Sequence, residues 1–165
     1  MDTADTDRQA IVDVLSNYAT GLDARDWVLW RSVFIDEVIF DLKSWNGVAP
    51  RPLNTDRVVA AQARIFAELV ETQHFFTNYR VLIDGDKARV QAHMRAEHWL
   101  ANPGIEGTDR YTMFGYYDDQ LVRTDAGWKI AEMQLNVTRT EGNRWVMDEA
   151  ERRARAKRKA QRSAD

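Results

Sequence analysis

A carboxylate that holds one nitrogen of a neutral imidazole makes that histidine a strong general base, because it fixes the tautomer and stabilises the imidazolium that forms. The sequence contains material for such a pair. It carries three histidines, His74, His93 and His98. Strand alternation separates the last two: Val90, Ala92, Met94, Ala96, His98 and Leu100 share one face, and Arg89, Gln91, His93, Arg95, Glu97 and Trp99 share the other. The first face is apolar but for His98, so His98 is expected to point into the core and His93 into solvent. His74 opens the stretch HFFTN, where alternation sets Phe76 and Asn78 beside it and Phe75, Thr77 and Tyr79 opposite. Periodicity alone does not say which of those sides faces inward. A lone histidine is more often a hydrogen-bonded packing residue than a catalyst, but two enclosed imidazoles would need polar partners.

Asp23, in YATGLDARDW, is a candidate partner. Asp26 is placed to cap the helix that follows, and Asp36 with Glu37 reads as a turn before a strand. Asp23 has no comparable local duty, although capping or pairing with Arg25 are the plainer alternatives. It lies just past the helix that carries Tyr18, five residues after that tyrosine.

These residues need elements to position them. Residues 6–22 read as an amphipathic helix with Ile11, Leu15, Tyr18 and Leu22 on one stripe and Gly21 loosening its end. A short helix follows over WVLWRSVF, then a strand over EVIFDL. SWNGVAPRPLN reads as a loop. A third helix covers 55–70, with Val58, Ala61, Ile65 and Leu69 as its stripe. Four long strands complete the body: HFFTNYRVLI turning through DGDK into ARVQAHMRAEHWL, and DRYTMFGYYDDQLVRT turning through DAG into WKIAEMQLNVTRT. Three helices and a mainly antiparallel sheet predict an α+β fold with the helices on one face of a curved sheet.

Length and composition bound the function. A chain of 165 residues, 44% hydrophobic and 30% charged, suits one globular domain with a core and a small cavity. The absence of cysteine excludes disulfides, thiolate metal sites and thiol nucleophiles. No apolar run approaches the ~20 residues of a membrane span, and the acidic start MDTADTDRQ is unlike a secretory signal. A cytoplasmic protein without membrane contact is expected. The net charge of −3 conceals a basic end, since RRARAKRKAQRSAD holds seven Arg or Lys. Preceded by MDEAE, it reads as a solvated C-terminal helix aligned with its own macrodipole rather than as a nucleic-acid contact. Residues 152–165 show no apolar stripe that would dock them. Glycine-rich phosphate loops are absent, so no nucleotide cofactor is implied.

The spacing D-x-x-D-W (Asp23, Asp26, Trp27) followed by T-x-H-x-x-x-N (Thr72, His74, Asn78), with IDGDKA and GYYDDQLVRTDAGWKIA, resembles the SnoaL-like branch of the nuclear transport factor 2-like superfamily. The resemblance covers about residues 6–140. It implies a cone-shaped, curved antiparallel sheet with about three N-terminal helices packed on its concave side, a cone domain over 1–145 and a basic helical tail over 146–165.

Within that branch the residues resemble scytalone dehydratase, bile-acid 7α-dehydratases and hexachlorocyclohexane dehydrochlorinase, which use an Asp–His pair and no cofactor or metal. The resemblance implies Asp23 and His74 as the pair, with His98 and Tyr18 as further catalytic residues. It places Tyr117 and, more loosely, Arg139 at the pocket, with Leu22 and Leu42 where scytalone dehydratase has tyrosines, which argues against scytalone as substrate. Phe76, Met94 and Met113 are expected as apolar walls, with Asn78 on His74's face. The function implied is a cofactor-independent lyase or isomerase performing dehydratase-like elimination on a hydrophobic small molecule such as a steroid, terpenoid or polyketide. The alternatives are a non-catalytic small-molecule-binding domain or the β-type subunit of a ring-hydroxylating dioxygenase. Apolar strand faces outside the cone suggest a homodimer or homotrimer.

Overall fold

The computed structural model describes residues 3–102, 104 and 107–163. The chain runs α1 (Thr3–Ala24), α2 (Trp27–Ser32), β1 (Phe34–Asp41), α3 (Lys43–Asn46), β2 (Pro52–Asn54), α4 (Thr55–Phe66), β3 (Glu71–Asp84), β4 (Lys87–Trp99), β5 (Arg110–Thr124), β6 (Gly127–Gly142) and α5 (Trp145–Arg162). One six-stranded sheet has the order β2-β1-β6-β5-β4-β3. Its pairs are antiparallel except β1 with β6, which run parallel. Asp36 and Glu37 lie inside β1 rather than in a turn before it. The segment read as a loop contains the short α3 and β2.

Tight turns at Gly85 and at Asp125–Ala126 join the long strands, as DGDK and DAG foretold. Bulges interrupt β3 between Thr77 and Arg80, and β5–β6 between Phe114 and Gly115 and again between Gln120 and Leu121. Each extra residue bends its strand and increases the local twist, so the long strands curl into a concave face. The stripe of α1 lies buried against that face: Ile11, Leu15, Tyr18 and Leu22 are all at most 6% exposed. Its neighbours across the interface are β3 and β6.

Gly21 does not loosen α1. A Cβ there would stand 2.8 Å from the backbone nitrogen of Trp30, so glycine allows α2 to fold directly onto the helix. Trp30 is thereby buried against Tyr18 and Phe34. Asp26 caps α2 as expected, its Oδ1 accepting the Leu29 N–H at 2.9 Å.

The C-terminal segment departs most from expectation. Rather than a free tail after residue 145, α5 is docked on α4 with Val146, Met147, Ala150 and Ala154 buried. Polar bonds reinforce the packing: Arg153 donates to the carbonyls of Ala101 and Asn102, and Lys157 pairs with Glu68 at 2.7 Å. The docking stripe begins before residue 152 and ends at Ala154, which is why the charged stretch alone conceals it. Val146 and Met147 each contribute about 1.5–3 kcal/mol of burial. Removal of residues 146–165 is therefore expected to lower the melting temperature by roughly 10 °C, whereas removal of 159–165 should leave it nearly unchanged. Circular dichroism melts of the two truncations check this, and equal melts would mean that α5 does not dock.

Candidate active site

Three elements converge where the last turn of α1 meets the start of β3. Arg25 leaves the helix with φ +55°, and its guanidinium donates to the Asp23 carbonyl at 3.1 Å and the Leu69 carbonyl at 2.9 Å. Arg25 thus binds the Asp23 backbone and ties α1 to the segment entering β3. The Asp23 carboxylate is left for the strand. Its Oδ1 lies 2.7 Å from His74 Nδ1 and accepts the Thr72 hydroxyl at 3.0 Å, while its Oδ2 accepts the backbone N–H of His74 at 2.7 Å. Burial pushes the Asp23 carboxyl up, but the bonds from His74 and Thr72 outweigh it and hold its pKa below the usual value. With Asp23 ionised, His74 Nδ1 carries the proton and Nε2 carries the lone pair.

The His74 side chain is 5% exposed. Its ring stacks near Phe66 and meets the His98 ring edge-on, with centroids 5.4 Å apart. This follows from register, since Thr72 pairs with His98 and His74 with Ala96 on the inner face. His98 is 2% exposed, and its Nδ1 has no hydrogen-bond partner among the described residues. Burial, assisted by the neighbouring His74, pushes its pKa down to about 3. His98 is neutral across the physiological range. His93 lies exposed on the opposite face.

Both histidines open on a cavity of about 250 Å³. Tyr18 and Tyr117 form another wall, their hydroxyls 3.4 Å apart. Burial raises both phenol pKa values well above the ordinary value, so each remains a neutral donor. Leu42 and Met113 line the cavity with Leu22, Trp30 and Trp45. Phe76 stands behind this wall, its ring 5.1 Å from that of Tyr117 and 5.9 Å from that of Tyr18. Met94 is buried on the inner face but does not line the cavity.

Two further expected pocket residues, Asn78 and Arg139, lie on the outer face. Asn78 is exposed at the β3 bulge with φ +56°, and its amide approaches His93 at 3.3 Å. The extra residue reverses the alternation, so Tyr79 and Val81 take the inward positions instead. Arg139 is displaced likewise, because the β5–β6 bulge leaves Thr138 outside the register. Its guanidinium lies 4.4 Å from the Phe114 ring centroid on the outer face and pairs with Glu141 at 3.1 Å.

Sequence reading missed several lining residues, among them Gln62 and Phe66 of α4 and Met147 and Glu151 of α5. The signal for α5 was present in the helical spacing of Val146, Met147, Ala150 and Ala154. Among the described residues, no three histidine or carboxylate side chains are arranged to hold a metal ion, and no helix is long and apolar enough to cross a membrane.

Residues 4–134 match the SnoaL-like domain. The chain belongs to this family. It is 29% identical over 147 residues to terrestric acid biosynthesis cluster protein E of Penicillium crustosum, covering 86% of this chain and 89% of that protein. The Kfla4162 protein of Kribbella flavida has a crystal structure that superposes with a TM-score of 0.81 at 34% identity, covering 89% of this chain and 98% of the other. Hexachlorocyclohexane dehydrochlorinase LinA-type3 of Novosphingobium barchaimii LL02 shares the fold, with a TM-score of 0.66 at 17% identity over 83% of this chain and 90% of its own. This SnoaL-like chain therefore has the nuclear transport factor 2-like fold and dehydratase-like structural neighbours.

The buried neutral His98 makes stability depend on pH. In the unfolded chain its pKa returns to about 6.5, so that state takes up a proton below this pH while the folded state does not until about 3. Stability is full above pH 6.5 and falls as pH drops through that window, by about 1.4 kcal/mol per unit from this group. Denaturant titrations at pH 7, 6, 5 and 4 should show a slope shallower by that amount in His98→Gln and unchanged in His93→Ala. An unchanged slope in His98→Gln would mean that the ring is not held neutral.

Proposed function

We propose that this SnoaL-like protein is a cofactor-independent lyase or isomerase that eliminates water from, or shifts a double bond in, a hydrophobic small molecule. One observation carries this reading: a carboxylate fixed by three hydrogen bonds orients a histidine that opens into an apolar cavity with neutral donors opposite. A purely binding or scaffolding domain has no need of that arrangement. In the elimination, His74 Nε2 takes a proton from the carbon next to an activating group. The C–H electron pair becomes the new double bond as the C–O bond breaks. Asp23 stabilises the imidazolium, whose proton then leaves with the departing hydroxide as water. Tyr18 and Tyr117 act as neutral donors toward the oxygen on which charge develops.

The cavity limits the substrate. A volume of about 250 Å³ lies below the ~300–1,000 Å³ usual for drug-sized ligands, which favours a compact polyketide or terpenoid over a four-ring steroid. The outer sheet face, where Phe75 is 43% exposed beside Phe114 and Tyr116, suits contact with further copies of the chain. A dimer or trimer is the oligomer proposed, and sedimentation equilibrium would read its mass.

The dyad is tested by Asp23→Asn. An amide cannot stabilise the imidazolium, so turnover on a panel of compact β-hydroxy ketones, followed as loss of water by mass spectrometry, should fall about 10²–10⁴-fold. The melting temperature should show that the fold persists. Equal turnover by variant and parent would remove Asp23 from the mechanism.

A further inference from the structure

The positive charges of α5 are unequally used. Arg152 and Arg153 pair with Glu149, Arg155 with Glu151 and Lys157 with Glu68. Arg158, Lys159 and Arg162 are exposed and have no carboxylate partner among the described residues. Arg64, on α4, is exposed and unpaired in the same sense. Like charges at helical spacing repel one another, and here nothing within the described chain relieves the repulsion.

These cations form a track that starts at the cavity. Arg64, Arg155 and Arg158 line a groove of about 200 Å³ between α4 and α5. Ile65 and Glu151 line both the groove and the cavity, so the two adjoin. Farther along, Arg155, Arg158, Lys159 and Arg162 line an adjoining depression. From Glu151 to Arg162 the helix advances about 16 Å. The track is thus apolar and hydrogen-bonding at one end and cationic at the other. Elsewhere the chain is acidic enough to give the whole a net charge of −3.

We infer that the substrate is an amphiphile whose apolar part occupies the cavity and whose anionic end lies along Arg64, Arg158, Lys159 and Arg162. The inference rests on the cavity being the substrate site and adds a charge requirement to it. An exposed guanidinium–anion contact contributes up to about 1 kcal/mol, or roughly fivefold in affinity. Two such contacts exceed what the apolar tail alone distinguishes. Because the track is short and leads to the cavity, a small anion fits it better than an extended polyanion.

The test is competition against N-phenyl-1-naphthylamine, a neutral fluorescent reporter for the cavity, by dodecanol, dodecanoate and dodecyl phosphate below their aggregation limits. In the parent protein at low salt, one or both anionic competitors should displace the reporter about tenfold better than dodecanol. Whichever does so identifies the anion as carboxylate or phosphate. The double variant Arg64→Gln/Arg158→Gln should lose that preference while binding dodecanol and the reporter as before. Arg51→Gln/Arg80→Gln, an equal charge change at exposed positions outside the track, should keep it. If all three competitors displace the reporter equally, the anion track is overturned while the cavity reading stands. If the reporter does not bind, the cavity reading fails and the inference with it. A duplex oligonucleotide that displaces dodecyl phosphate through the same arginines would also overturn it.

Discussion

The contact between Asp23 and the Thr72–His74 segment is a tertiary fastening and, under the proposed function, also the device that orients the base. One carboxylate joins the end of α1 to the first residues of β3 through a hydroxyl, a backbone amide and an imidazole. Neither element alone could place the histidine. The strand supplies a side chain directed inward, and the helix supplies the charge that selects which nitrogen bears the proton. Much of the surrounding structure serves that junction. Gly21 lets α2 close over α1, Arg25 neutralises carbonyls at the helix end, and Leu69 is drawn in beside them. The electrostatics depend on the same closeness, since Asp23 would have a raised pKa from burial if its three donors were absent.

What the sequence made legible and what it concealed have one physical origin, the regularity of the strands. β4 alternates cleanly along most of its length, and there the separation of His98 from His93 could be read directly. Asn78 and Arg139 lie one step beyond a bulge, where a single extra residue exchanges inner and outer faces. Alternation carries no sign of such a residue. Asn78 offers a weak hint, because asparagine tolerates the positive φ that the bulge uses. The pairing of Asp23 with His74 is a contact across 51 positions. Composition suggested its members and family resemblance joined them, but periodicity alone could not.

The misreading of α5 has a different cause. Its charged half dominates the composition, whereas docking depends on Val146, Met147, Ala150 and Ala154, two of them alanines with little hydropathy of their own. Small residues allow close approach of α5 to α4, so their contribution is geometric as much as hydrophobic. The consequence is functional, because Met147 and Glu151 complete the cavity wall. A cone without this helix would leave Phe66 and Ile65 facing water beside the cavity.

Burial explains how the protonation states are divided. Burial keeps His98, Tyr18 and Tyr117 uncharged through the physiological range, and it acts on each in the direction opposite to its charged form. Asp23 escapes this rule only because it sits at the edge, 23% exposed in its side chain, and accepts three hydrogen bonds. The Asp23 carboxylate is thus a charge held directly behind His74. A proton arriving at Nε2 is stabilised by the carboxylate, while no other group lining the wall near it readily becomes a cation. Under the proposed function, such an arrangement in a low-dielectric pocket directs proton transfer toward the histidine that Asp23 holds and away from the one buried beside it.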